Sequence, residues 1–151
     1  MMQKIVKTIQ DDLITALYPS SIEAAYIYLP QTLTQNKVIA VVRKNKVALG
    51  YEIGQKMAST FVYSIDIILL INNADYETAI AEIDKLERLV VENLTLNSNL
   101  STLESDDEGY LERVIKYRPI GTEYPDQLPP LDKKCHVAII SVEVQTEIHP
   151  N

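Results

Sequence analysis

Catalysis and metal binding need side chains that ligate, attack or exchange protons and that converge on one point. This sequence supplies few of them. Its only histidines are His136 and His149, and its only cysteine is Cys135. A zinc site needs three or four converging ligands. Cys135 and His136 are neighbours in a segment that alternates like a strand, so their side chains point to opposite faces. They read as a buried thiol and a surface imidazole. Asp66, inside SIDIILLI, is the carboxylate most worth suspicion, because an acid among apolar residues can be held protonated and serve as a general acid. Ser64 shares its face, and a wet or subunit-covered end of a strand is the simpler explanation, so Asp66 is expected to be structural. The stretch ESDDEG, residues 104–109, has the composition of a calcium loop but not the ligand spacing of one. It reads as a solvated acidic loop. Gly50 and Gly54 do not make a phosphate loop, for there is no following Lys-Ser/Thr. No nucleophile elbow is present, and no cysteine–histidine pair is placed to act as nucleophile and base. The expectation is therefore a protein with no catalytic residue, no cofactor and no metal.

The elements that would carry these residues follow from periodicity. Over residues 3–18, Ile5, Ile9, Leu13 and Leu17 recur every fourth position beside Val6, which predicts an amphipathic helix with Asp11 and Asp12 on its wet side. Pro19 ends it, because the residue before a proline avoids helical geometry. Ala25–Leu29 is a short candidate strand and Lys37–Val42 a β-branched, firmer one. RKNK, residues 43–46, reads as an exposed turn, with a weaker strand over Val47–Tyr51. Thr60–Ile71 is the strongest strand: Phe61, Tyr63, Ile65, Ile67, Leu69 and Ile71 share a face, while the other face runs from polar (Ser64, Asp66) to apolar (Ile68, Leu70). A second helix spans 75–94 with a core stripe of Tyr76, Ala79, Ile80, Ile83, Leu86, Val90 and Leu94, and with Asp84 and Arg88 spaced for an i,i+4 pair. Residues 97–109 form a polar loop. Tyr110–Ile120 and Cys135–Ile148 are strands. Four of the seven prolines fall between 119 and 130, so 121–134 reads as a long irregular arm. Helices and strands do not alternate strictly. This predicts an α+β fold, a mainly antiparallel sheet with the two amphipathic helices packed on one face.

The totals fit one domain covering 1–151. No apolar run approaches the roughly 20 residues of a membrane-spanning helix, and the opening MMQKIVKTIQDD turns acidic before a signal-peptide core develops. The chain reads as unprocessed and cytosolic when made, with a lone thiol suited to a reducing compartment. The net charge of −7 opposes nucleic-acid binding, which draws on Lys and Arg facing phosphates. Arg43, Lys44 and Lys46 are the one dense basic cluster. Nine tyrosines stand beside no Trp and one Phe. Tyrosine joins apolar area to a polar tip, so Tyr124, in the proline-rich arm, is a candidate interface anchor.

In this layout the sequence resembles the tail terminator, or tail completion, proteins of tailed bacteriophages. The resemblance lies in the N-terminal helix KIVKTIQDDLITALYP, the proline-broken AAYIYLP, and the central strand that turns directly into a helix, FVYSIDIILLINNADYETAIAEIDKLERLVVENL. The strands YLERVIKYRPI and HVAIISVEVQTEIH complete it. The resemblance implies a virion structural protein: a homo-hexameric ring that ends the tail tube and presents a surface to the neck or head connector. Its partners would be copies of itself, the tail tube protein and a connector protein. DNA would pass through its acidic channel without specific binding, and it would reside in the virion tail or neck after assembly in the host cytoplasm, without a membrane. In such a ring, Arg43, Lys44 and Lys46 are expected to meet the acidic loop Glu104, Asp106, Asp107 and Glu108 of the next subunit. The layout also admits another head–tail joining or head-completion neck protein, a small cytosolic binding domain, or a small enzyme without a recognised motif.

Overall fold

A computed structural model describes residues 1–34, 36–50, 60–72, 75–107, 109–125 and 135–150. The first helix, α1, spans Met2–Leu17. Its stripe Ile5, Val6, Ile9, Leu13 and Leu17 is buried, and Tyr18 leaves the helix in extended geometry (φ −86°, ψ 139°), as a residue preceding Pro19 must. Strands β1 (Ala24–Tyr26), β2 (Val38–Gly50) and β3 (Thr60–Ile71) follow, and then α2 (Tyr76–Asn97). A short 3₁₀ turn at Asn99–Thr102 leads into β4 (Glu104–Asp107), β5 (Tyr110–Glu123) and β6 (His136–Pro150). Asp75 caps α2 by accepting from Thr78 N and Oγ1, and these bonds hold its carboxyl below the usual range. Gly109, with φ 88°, occupies the left-handed region between β4 and β5, where a side chain would strain the backbone.

The architecture is α+β, with one six-stranded mixed sheet in the order β1-β2-β3-β6-β5-β4. β1 runs parallel to β2, and the remaining pairs are antiparallel. The buried stripes of both helices join Ala40, Val42, Ile65, Ile67, Leu69, Ile71, Ala138, Ile140, Val142 and Val144 in one cluster. The alternate residues Ile39, Val41, Ile68, Leu70 and Val137, with Cys135, form a second cluster under Tyr26, Leu29 and Leu33. The inner half of β3 is thus buried on both faces, which is why Ile67–Ile71 is apolar at every position.

Several expectations are corrected. RKNK is not a turn. β2 continues through it, paired with β3 up to Gly50↔Thr60, and a bulge at Asn45 absorbs the extra residue between Lys44↔Ile65 and Lys46↔Ser64. Residues 97–109 are not all loop: α2 runs on to Asn97, and the acidic stretch from Glu104 pairs with β5 as an edge strand. β5 continues through Gly121–Glu123, where the arm was expected to start, because Thr122 and Glu123 pair with Ile140 and Ile139. The rest of that arm, 126–134, lies outside the described residues. In α2 the core stripe is Ala79, Ile83, Leu86, Val90 and Leu94, whereas Tyr76 and Ile80 are exposed. Asp12 is not on the wet side of α1; it is only 4% exposed.

Candidate interaction surfaces

Asp12 explains itself through its partners. Its carboxylate accepts from Ser98 Oγ (2.7 Å), Asn99 Nδ2 (2.6 Å) and Asn99 N (3.2 Å). Ser98 Oγ in turn accepts from Leu100 N at 3.1 Å. The cluster fastens α1 to the end of α2 and spends its acceptors on structure. Asp66 behaves alike. It is 6% exposed, with Arg43 Nη2 at 3.5 Å and Asn45 Nδ2 at 3.4 Å from its carboxylate oxygens. A third polar group spans three strands: Tyr63 Oη (2.5 Å) and Thr146 Oγ1 (2.7 Å) both donate to Glu112 Oε1. Burial, and secondarily the Glu112 carboxylate, push the Tyr63 phenol upward, so it holds its proton rather than releasing it. Cys135 belongs to the second apolar cluster, and burial raises its thiol, which suppresses thiolate chemistry. His136 meets Tyr76 edge-on, with ring centroids 5.1 Å apart, and His149 pairs with Glu147 at 3.1 Å. Among the described residues no three His, Cys, Asp or Glu side chains are placed to hold a metal ion.

The surfaces lie elsewhere. Cross-strand pairing sets the facing of β2 beyond the bulge. Lys44, Val47 and Leu49 stand opposite Ile65, Tyr63 and Phe61, all of which belong to or pack on the cluster that holds the buried residues of both helices. Val47 is nonetheless 50% exposed and Leu49 55%. The hairpin end therefore offers a cation followed by two bare aliphatic side chains. Arg43 and Lys46, opposite Asp66 and Ser64, face the other way. The three basic residues do not form a single patch, and Arg43 is already engaged with Asp66.

A second surface runs along the outer side of α2. There a groove of about 560 Å³ is lined by Asp84, Glu87 and Glu92, with Arg88 as its cation and with Val91, Thr95 and Leu96. Tyr124 closes it from the end of β5, and its hydroxyl donates to Glu87 Oε2. That bond, with some burial, pushes the Tyr124 phenol up to about 12. Asp84 and Arg88, expected as an i,i+4 pair, both line the groove, but no salt bridge joins them. The groove itself is not legible in the sequence, because nothing in the order of residues brings Tyr124 back to α2.

A scan against protein-family models matches none for this chain, and a search of curated proteins finds no similar sequence. The predicted interface residues therefore stand on geometry alone. Glu104 and Asp106 lie in β4, opposite Arg113 and Leu111 at the sheet edge. Asp107 is in the same strand, and Glu108 lies outside the described residues. Strands β3, β6 and β5 separate β4 from β2, so the basic and acidic segments are not neighbours in the sheet order of one chain. Tyr124 is exposed and lies against its own α2. Among the described residues no helix is long and apolar enough to cross a membrane.

Proposed function

We propose that this chain is a non-enzymatic structural subunit that closes a bacteriophage tail tube, forming a homo-hexameric ring between the tube and the neck or head connector. The observation that carries the reading is the bare hairpin end. Val47 and Leu49 pair with Tyr63 and Phe61, which belong to or pack on the cluster shared with both helices, yet they stand half-exposed. Apolar side chains held on a strand that outruns its own cover suit a contact made between copies. Both helices over one face of a mainly antiparallel sheet would leave this end and the sheet edges available to neighbours. The order of elements supports the same reading, with an N-terminal helix, a central strand passing into the long helix, and two long closing strands. The net charge of −7 suits a channel that DNA crosses without being held. Residence in the virion tail or neck, after assembly in the host cytoplasm, follows from that role.

The test is assembly. Purified protein, alone and mixed with polymerising tail tube protein, is followed by sedimentation velocity and negative-stain electron microscopy. The expected result is a closed ring of about six times the monomer mass, free or seated on one end of tubes that stop growing. Tubes that elongate without limit and carry no added ring would sink the reading.

A further inference from the structure

We propose that the Lys44–Leu49 stretch of β2 of one copy docks into the α2 groove of the next copy, with Lys44 toward the groove carboxylates and Val47 and Leu49 against Val91 and Leu96. The inference rests on the self-assembly reading above and assigns it a contact. Charge complementarity argues for it. The groove carries Asp84, Glu87 and Glu92 against the single cation Arg88, an excess of negative charge on an open surface. The hairpin end presents Lys44 on the same face as two exposed aliphatic side chains. The apolar parts match as well: Leu96 is 71% exposed at the groove, a large aliphatic side chain bare on a helix that buries its opposite stripe.

The two surfaces belong to different parts of one chain and are unlike each other. A contact between them is heterologous, with one copy's hairpin meeting the next copy's helix. Such a contact repeats from copy to copy and either closes into a ring or runs on as a filament. The Tyr124–Glu87 bond contributes by fixing the groove wall before docking, which spares the contact the ordering of a loose aromatic side chain.

The experiment uses the full chain and sedimentation equilibrium. Lys44→Glu alone and Glu92→Lys alone should each weaken self-association about fivefold or more, since the first turns the attraction into a repulsion and the second cancels the groove's net charge. The double variant, and an equimolar mixture of the two single variants, should recover it. In the mixture the acidified β2 of one chain meets a groove that carries an added cation and no net negative charge, and the unaltered Lys44 of the other chain meets the first chain's acidic groove. Leu49→Asp should weaken association without rescue by either charge change. Circular dichroism identifies any variant that fails to fold, and cross-linking Val47→Cys chains to Leu96→Cys chains with a short bismaleimide gives an independent readout. Cross-linked pairs are expected in the mixture above the level of either variant alone.

Weakening by Glu92→Lys with no response to Lys44→Glu and no rescue means that something else occupies the groove, and overturns the contact. Rings that form normally in all three variants overturn it while leaving the tail reading intact. A wild-type chain that is monomeric at every concentration also overturns it, and the tail reading is then decided by the tube assay.

Discussion

Asp12 and Asp66 are the two buried carboxylates among the described residues, and each is surrounded by donors rather than by a cleft. A buried carboxylate that accepts several bonds is costly to remove where its donors lose their partner and keep their burial, as Ser98 does beside Asp12. Asp12→Ala strips Ser98 Oγ, Asn99 N and Asn99 Nδ2 of their acceptor at once. The expected destabilisation is about 1–3 kcal/mol, the range for a buried polar group left unsatisfied, here the Ser98 hydroxyl, since Asn99 is exposed and can turn to water. Asp12→Asn should cost less, since one acceptor oxygen survives. Urea unfolding followed by circular dichroism measures both, and an Asp12→Ala midpoint equal to that of the parent would show that the Ser98–Asn99 contacts carry no stability. The sequence alone could place Asp12 on a helix but not among these donors, because Ser98 and Asn99 are 86 and 87 residues away along the chain. Asp66 was suspected from its apolar neighbours, and its carboxylate accepts from the Arg43 guanidinium and the Asn45 side-chain amide.

At the scale of elements, what was legible is what periodicity encodes. α1 declared itself through Ile5, Ile9, Leu13 and Leu17, and β3 through a face that stays apolar across Tyr63, Ile65, Ile67, Leu69 and Ile71. The polar tracts were misread for one physical reason. RKNK and the residues around Glu104 have turn-like composition, but a strand's backbone bonds are satisfied by its neighbour, and exposed positions tolerate any polar side chain. The parallel pairing of β1 with β2 has no local signature at all. Of the candidate sites, the basic segment was visible as composition. Its division between two faces was not, because the segment reads as a turn; within the strand Arg43 and Lys44 alternate, and the Asn45 bulge sets Lys46 on the face of Arg43. The bulge yields a prediction. Deleting Asn45 converts the bulge to a regular ladder and leaves Lys46, Val47 and Leu49 opposite Ser64, Tyr63 and Phe61. The fold should survive with a cost of about 1 kcal/mol for the lost amide contact to Asp66. Deuterium exchange should still protect the amides of the distal hairpin; their loss of protection would mean that the bulge itself holds the register.

The whole molecule carries a net charge of −7, which opposes any self-assembly while the proposed hairpin–groove contact favours it. Magnitudes separate the two. Two such bodies with centres about 30 Å apart repel by about 7 kcal/mol in unscreened water. At about 0.01 M salt the screening length is about 30 Å, comparable to the width of a domain of this length, so a repulsion of a few kcal/mol persists. At about 0.15 M the length falls to about 8 Å and the repulsion nearly vanishes. Lys44 against the groove carboxylates acts over about 4 Å, at about 1 kcal/mol per pair, and is attenuated only as the screening length approaches the contact distance near 1 M. The self-association constant should therefore rise tenfold or more from about 0.01 to 0.15 M salt and decline towards 1 M, with a maximum between. Sedimentation equilibrium over a sodium chloride series reads this directly. In Lys44→Glu the high-salt decline should disappear while the low-salt rise remains, because the long-range repulsion is still present and the short-range attraction is gone. A constant that climbs through 1 M in the wild type would mean that the copies meet through apolar surface alone and that Lys44 has no carboxylate across the contact.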